Sequence, residues 1–478
     1  MIGIILSSKN VADELTIDFG NITPSELPLS NKNLLHFQIQ ELKQHCNDIY
    51  LTRNDDANKI YCDYNYKEYI VDKDLSLVNL IFKILVDFKS QDIFFLYGDT
   101  LIEYPKLQYN RSTMFSIEDV NIPYPNWHIL PNKTIMSGSF VVDKSLNKSI
   151  LDKNLNSISD LLNFIYKESN SIQLNKGKHL DFGQFHTYYN SKKNFLETRE
   201  FNNIKVISQN FIEKSSKDLS KMIFEFNWLK KAHEIFPSII PIVKNINITN
   251  SNLASYSIEY HNNSNLSDIF VKGNHSDNIK ERIISNLIQY LNKIQVKQNK
   301  NTENYNFIID KLNSRELEIL EISNTFLLKK DVINLISQQK NFFEKKKFYY
   351  TVMHGDYCFS NILYDMRNHT IKLIDPRGFL NKERGFSFYG PYVYDYFKLA
   401  HSYIGKYDFI ISGEAPDNFD IEEIRRNLIH FSQISGLSEE LLILGMINLF
   451  LTMLPLHSDN KKRQEGFLKI CLILNNLK

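Results

Sequence analysis

The stretch VMHGDYCFSNILYDMRNHTIKLIDPRG, residues 352–378, decides the fold of the last third of this 478-residue chain. A strand-type run from Phe348 to Met353 ends at His354, and a loop carrying Asp356 follows. NILYD and TIKLID come next, two short strand-type runs separated by the turn MRNH. A hairpin of this kind starts one strand at Asn361 and ends its partner at Asp375. Antiparallel pairing then joins those two residues at its open end, with Asp356 one loop away. One amide oxygen and two carboxylates so arranged suit phosphoryl chemistry. Asn361 and Asp375 can hold Mg²⁺ against triphosphate oxygens while Asp356 accepts or orients an attacking hydroxyl. The bland alternative is a polar loop closing an ordinary hairpin.

Bulk composition narrows the partners. Lys+Arg 56 against Asp+Glu 55 leaves a net charge of +1, so no basic field points to nucleic acid or an anionic membrane. No basic stripe interleaved with aromatics is visible either. A small-molecule acceptor is expected instead, and the oligomeric state stays open. Cys46, Cys62, Cys358 and Cys471 show no CxxC spacing, which argues for a reducing, cytoplasmic setting over a disulfide framework or a zinc site. MIGIILSSKN at the start lacks a basic n-region and a cleavage pattern, so it is expected to be a buried strand. LLILGMINLFLTMLPL, from residue 441, is broken by Asn448 and Pro455 and reads as a core helix, not a membrane span.

The chain changes its pattern near residue 196. Before that point strand-type runs (IGIIL, DIYLT, DIFFLYGDTLI) alternate with helical ones (LLHFQIQELKQHC, LSLVNLIFKILVDFK), which predicts an α/β domain with a mostly parallel sheet over residues 1–195. From 196 to 478 an extended segment, a helix and a further extended pair precede long helices. Ile279, Ile283, Leu287, Leu291 and Ile294 recur there at helical spacing. A small sheet followed by a helical lobe is a bilobal α+β arrangement.

HGDYCFSN followed by LIDPRG resembles the catalytic loop of the aminoglycoside phosphotransferase and choline kinase family. The resemblance implies a protein-kinase-like fold using ATP and Mg²⁺, with Asp356 as catalytic base and Asn361 and Asp375 as metal ligands. It also implies an ATP-anchoring Lys and a partner Glu upstream. Lys214 ends a strand-type run and Glu225 lies on the next helix, although a surface Lys and Glu would read the same. Glu259 and Tyr260, in the hinge-like YSIEYHNN, are candidates to offer backbone groups to adenine; a plain strand of a small sheet is the alternative. The family's glycine-rich loop is missing, so residues 208–210 would cover the phosphates without glycine. Asp395, in YGPYVYDYFKLAH, is expected to brace the next helix and the catalytic loop. Arg377 either touches phosphate or substrate or is an ordinary surface residue.

IFFLYGDTLIEYP resembles the metal-binding segment of sugar-nucleotide and phosphocholine nucleotidyltransferases, whose domains have a GT-A, Rossmann-like fold. The resemblance implies metal-binding roles for Asp99 and for Asp181 in LDFGQFHTYY, a substrate-phosphate contact for Lys32, and CTP or another nucleoside triphosphate as cofactor. IILSSKN stands where that family carries a glycine-rich, Arg-containing loop, which weakens the case for activity, and Asp99 as a loop cap is the alternative. The two resemblances together imply an ATP-dependent kinase for a hydroxyl of a small polar metabolite: a sugar, an amino alcohol or a nucleotide-linked precursor. A role in capsule or lipopolysaccharide decoration follows from the same resemblances, with nucleotidyl transfer as a second activity. The rival readings are a nucleotidyltransferase with a regulatory kinase lobe, and a non-catalytic nucleotide-binding protein.

Overall fold

The computed structural model describes residues 1–54, 60, 62–72, 74–103, 112–117, 128–130, 135–153, 155–168, 171–174, 179–196, 203–249, 253–295, 298–299, 306–415 and 419–478. They divide into two compact units, Met1–Phe195 with Lys272–Asn274, and Leu196–Val271 with His275–Lys478.

The first unit is built on strand β1 (Ile2–Leu6), whose residues are all buried. Period-two alternation sends Ile2, Ile4 and Leu6 to one face and Ile5 to the other, which explains why the run is apolar without interruption. Helices α2 (Leu77–Asp87) and α3 (Ile158–Glu168) cover the first face through Ile81, Ile84, Leu161 and Ile165. Helix α1 (Leu34–Leu42) covers the second through Leu35, Ile39 and Leu42. Strands β2 (Asp48–Asn54), β3 (Lys67–Val71), β4 (Ile93–Tyr97), β6 (Thr113–Ile117), β7 (Ile135–Val142) and β8 (Ser171–Leu174) complete a seven-stranded sheet of order β8-β6-β7-β4-β1-β2-β3. The expected parallel pairing holds for β4-β1-β2-β3, with α1 between β1 and β2 and α2 between β3 and β4 along the chain. It fails at β7, which is antiparallel to both β4 and β6. A two-stranded piece, β5 (Thr100–Ile102) with β9 (His179–Asp181), sets Asp181 opposite Thr100, and helix α4 (Phe185–Lys192) follows it.

The second unit has the expected bilobal α+β architecture. Its small lobe is an antiparallel sheet of order β10-β11-β13-β12, from β10 (Asn203–Val206), β11 (Phe211–Ser216), β12 (Val243–Ile248) and β13 (Ala254–Glu259). Helix α5 (Leu219–Ile235), capped by the Asp218 side chain on the Lys221 N–H, buries Met222, Glu225, Phe226, Trp228, Leu229 and Ala232. The large lobe opens with α6 (Asp277–Gln295), which buries Ile283, Leu287, Leu291 and Ile294 but leaves Ile279 exposed. Helices α7 (Phe307–Asn313), α8 (Glu316–Thr325) and α9 (Lys329–Phe343) come next. Strand β14 (Tyr350–Val352) pairs with β17 (Tyr389–Pro391), and β15 (Ile362–Asp365) forms the hairpin with β16 (Thr370–Leu373). Helices α10 (Val393–Tyr403), α11 (Tyr407–Ser412), α12 (Ile421–Ser435), α13 (Glu439–Met453) and α14 (Lys461–Asn476) close the lobe. The segment Glu439–His457 is long and apolar enough to cross a membrane, but 72% of its most apolar window is buried inside this unit. It serves as the lobe's core helix, as its interrupted pattern predicts.

Candidate active site

The hairpin β15–β16 does what its sequence demands. Ile362 pairs with Leu373, and the Ile374 N–H donates to the Asn361 carbonyl at 3.0 Å, so Asn361 and Asp375 emerge side by side. The Asn361 amide nitrogen donates to both the Asp356 carbonyl (3.0 Å) and the Asp356 Oδ2 (2.8 Å). That pair of bonds fixes which way the amide faces and turns Asn361 Oδ1 away from Asp356. Asp375 is held in the left-handed region at φ 57°, an unfavourable conformation for a residue with a Cβ and one that recurs at functional sites. Three residues on, Gly378 has φ 68°, and a Cβ there would lie 2.5 Å from the Phe224 carbonyl. The loop therefore lies flat on α5 next to Glu225, an approach only glycine permits.

That approach assembles the second half of the site. Lys214, on β11, places Nζ 2.5 Å from Glu225 Oε1 and 2.8 Å from Asp375 Oδ1. Tyr256 on β13 donates its hydroxyl to the same Glu225 oxygen. Lys214 and Glu225 are both buried. Burial alone would lower the Lys214 pKa, but the two carboxylates outweigh it and hold the ammonium protonated. Four residues singled out in the sequence, Lys214, Glu225, Asn361 and Asp375, are thus brought together with Asp356.

Asp356 has a partner that the sequence did not announce. Lys398, on α10, lies 2.8 Å from Asp356 Oδ1. Desolvation pushes the Asp356 carboxyl up, but the Lys398 charge and hydrogen bond dominate and hold it well below the usual carboxylate range. The loop around it is braced by Asp395, whose two oxygens accept the His354 and Gly355 N–H groups at 2.8 Å each. Burial raises the Asp395 carboxyl to about 7, opposed by those two bonds. It supports the catalytic loop as expected, but it does not cap α10, whose N-cap is Tyr392 with no side-chain cap. Burial lowers His354 to about 4, so the ring is neutral, and its Nδ1 accepts from the Asp356 N–H.

Glu259 and Tyr260 use their backbone N–H groups inside the small lobe. β13 is an inner strand, so the Glu259 N–H donates to the Ile242 carbonyl and the Tyr260 N–H to the Asn210 carbonyl, at 2.9 and 2.8 Å. The Glu259 carboxylate accepts from the Ile242 N–H and sits 3.2 Å from His261. Both backbone donors are already used within the small lobe and are not offered to a base edge. Residues 208–210 form the β10–β11 turn, closed by Ile207 and Ser208 N–H bonds to the Phe211 carbonyl.

In the first unit a cavity of about 670 Å³ is lined by Tyr97, Asp99, Thr100, Ser137, His179 and Asp181, among others. A Cβ on Gly183 would meet Asp99 Oδ2 at 2.6 Å and Asp181 Oδ1 at 3.3 Å, so the two carboxylates converge. Burial and then the Asp181 charge push the Asp99 carboxyl up to about 6, and Asp181 Oδ2 is buried with no hydrogen-bond partner. Two neighbouring carboxylates, Asp181 Oδ1 bound to the Gly183 N–H at 3.0 Å and Asp181 Oδ2 left without a partner, supply hard oxygens that fit a divalent cation. Lys32 lies elsewhere. It stands on a two-residue strand, Lys32–Asn33, with Nζ 2.5 Å from Asp63, and does not line this cavity. The exit of β1 holds no free cradle either. The Ser7 N–H donates to Thr52, Ser7 Oγ accepts from the Ser25 N–H, and the Gln38 amide donates to the Tyr97, Gly98 and Thr100 carbonyls.

Solved structures similar to the chain fall into two groups, one for each unit. A UDP-glucose pyrophosphorylase complexed with UDP-glucose is 11% identical, covering 41% of this chain and 99% of that one, with a TM-score of 0.34. HddC from Yersinia pseudotuberculosis is 17% identical, covering 41% and 99%, with a TM-score of 0.30. The aminoglycoside phosphotransferase APH(4)-Ia, in a ternary complex with ADP and hygromycin B, is 12% identical, covering 59% and 92%, with a TM-score of 0.42. No family model matches the sequence, nor does any curated protein sequence.

Proposed function

We propose that the second unit transfers the γ-phosphoryl group of ATP to a hydroxyl of a small polar metabolite. The observation that carries this reading is the convergence of Lys214, Asp375, Asn361 and Asp356 through direct hydrogen bonds. Lys214, kept protonated and aimed by Glu225 and Tyr256, binds triphosphate oxygens. Asn361 and Asp375 would hold Mg²⁺, which neutralises phosphate charge when bound. An amide oxygen and a carboxylate are the hard donors that ion prefers, and they leave most of its octahedron to phosphates and water. Asp356, kept ionised by Lys398, orients the acceptor hydroxyl and takes its proton. The acceptor oxygen forms a bond to the γ-phosphorus as the bond to the β,γ-bridging oxygen breaks, and ADP leaves with that electron pair.

The paired Asp99 and Asp181 favour a second reading for the first unit, a divalent-cation site serving CTP, UTP or another nucleoside triphosphate. Kinase and nucleotidyl chemistry on one chain would suit the making of nucleotide-activated precursors for capsule or lipopolysaccharide in the cytoplasm. The kinase reading is tested with Asp356→Asn. Acceptor-dependent ADP release should fall on the order of 10²-fold or more. Equal turnover by variant and parent would remove Asp356 from the mechanism.

A further inference from the structure

Around Asp356 the large lobe gathers more positive charge than a lone base needs. Lys398 already neutralises Asp356 at 2.8 Å. Arg377 joins the same loop through its N–H to the His354 carbonyl at 2.8 Å, and a Cβ on Gly355 would lie 2.7 Å from the Arg377 Cβ. Its guanidinium lies between two aromatic rings, 5.1 Å from the Phe307 centroid and 4.9 Å from that of Phe379. Phe307 in turn packs on Tyr394 at 4.9 Å, and the Tyr394 hydroxyl accepts from Lys311 Nζ at 3.2 Å. Tyr394 and Lys398 are one turn apart on α10, so these groups form one continuous wall. Arg315, two residues past the end of α7, adds a third cation beyond Lys398, tied by its Nη1 to the Thr452 carbonyl.

Among the described residues none of Lys311, Arg315 and Arg377 forms an ion pair with a carboxylate. Arg377 Nε is buried with no hydrogen-bond partner. Burial, followed by the charges of Arg377, Lys398 and Arg315, depresses the Lys311 ammonium well below its ordinary value. Half-buried cations that repel one another destabilise a fold unless an anion completes them. An aromatic-clamped guanidinium with a lysine beside it matches the oxygens of phosphate or carboxylate. The wall belongs to the large lobe and flanks the base, whereas the triphosphate cation Lys214 comes from the small lobe.

We propose that the acceptor is itself an anion, an alcohol whose phosphate or carboxylate is held by Lys311, Arg315 and Arg377 while its hydroxyl faces Asp356. This rests on the kinase reading and narrows its substrate class. The test uses the full chain, ATP and Mg²⁺ with matched sets of sugars: each hexose as free sugar, amino sugar, uronate and monophosphate. Phosphorylated products are read by mass spectrometry. The uronate or the monophosphate should be turned over with kcat/KM at least tenfold above its neutral and cationic counterparts, and the better of the two identifies the group bound. Lys311→Met with Arg377→Gln should reduce that preference by tenfold or more, with folding checked by thermal melting. Equal or better turnover of neutral or amino sugars overturns the proposal, as does failure of every anionic member. A double variant that loses charged and neutral acceptors alike assigns the cations to ATP and also overturns it. Mg²⁺-dependent ATP binding by the parent protein, measured in parallel, separates these failures from a failure of the kinase reading itself.

Discussion

Lys398 stands three residues after Asp395 on α10, so one helix face supplies both the brace of the Asp356 loop and the counter-ion of the proposed base. Burial alone would raise the Asp356 carboxyl, and the Lys398 ammonium is the largest of the influences that bring it down. In the parent the base is therefore ionised throughout the range from about pH 5 to 8, and it sets no acid limb there. In Lys398→Met the desolvation loses its main opponent, the Asp356 pKa rises, and activity should fall off as pH drops through the new value. The pH–rate profiles of parent and variant check this; superimposable acid limbs would leave Lys398 a packing residue. At this scale the sequence was readable where chemistry is local. Asp356, Asn361 and Asp375 are spaced by one loop and one hairpin, and the order of Lys214 and Glu225 along the chain anticipated their pairing. Lys398 and Tyr256 were not readable, because one lysine among 56 basic residues declares a role only when the fold brings it to a carboxylate. Lys32 misled for the converse reason, since its partner Asp63 is distant in sequence.

Element by element, the strand and helix periodicities anticipated β1, α5, α6 and the β15–β16 hairpin, because buried faces impose them. Strand direction was less accessible. The β7 run looks like any buried strand, and nothing in its alternation of residues distinguishes antiparallel from parallel pairing. The engagement of the Glu259 and Tyr260 N–H groups was hidden at the same level, since an inner strand spends its N–H groups on its neighbours. Helix α13 is apolar on every side, and its place against α10 rests on Gly445, where a Cβ would lie 2.3 Å from Phe397 Cδ1. Gly445→Ala should therefore separate the two helices and destabilise the second unit by about 1–3 kcal/mol, despite alanine's better helix propensity. Urea unfolding checks the sign; a stabilised variant would mean that the helices do not depend on this contact.

Across the whole molecule each unit has its own core and its own candidate pair of oxygen ligands. The change of pattern near residue 196 coincides with the limit between Phe195 and Leu196. The two sites differ in what surrounds those oxygens. In the second unit a buried ammonium, a braced loop and an ionised base converge on them. In the first, the strand exit beside the Asp99–Asp181 pair is closed by Ser7, Ser25 and Gln38. The account stands on the second unit binding a triphosphate through Lys214, Asn361 and Asp375. Calorimetric titration of ATP into the full chain, with and without Mg²⁺, tests this most directly. The parent should bind ATP more tightly when Mg²⁺ is present, and Asp375→Ala should abolish that Mg²⁺ enhancement. Mg²⁺-dependent binding of equal strength in parent and Asp375→Ala, or none in the parent, would contradict it.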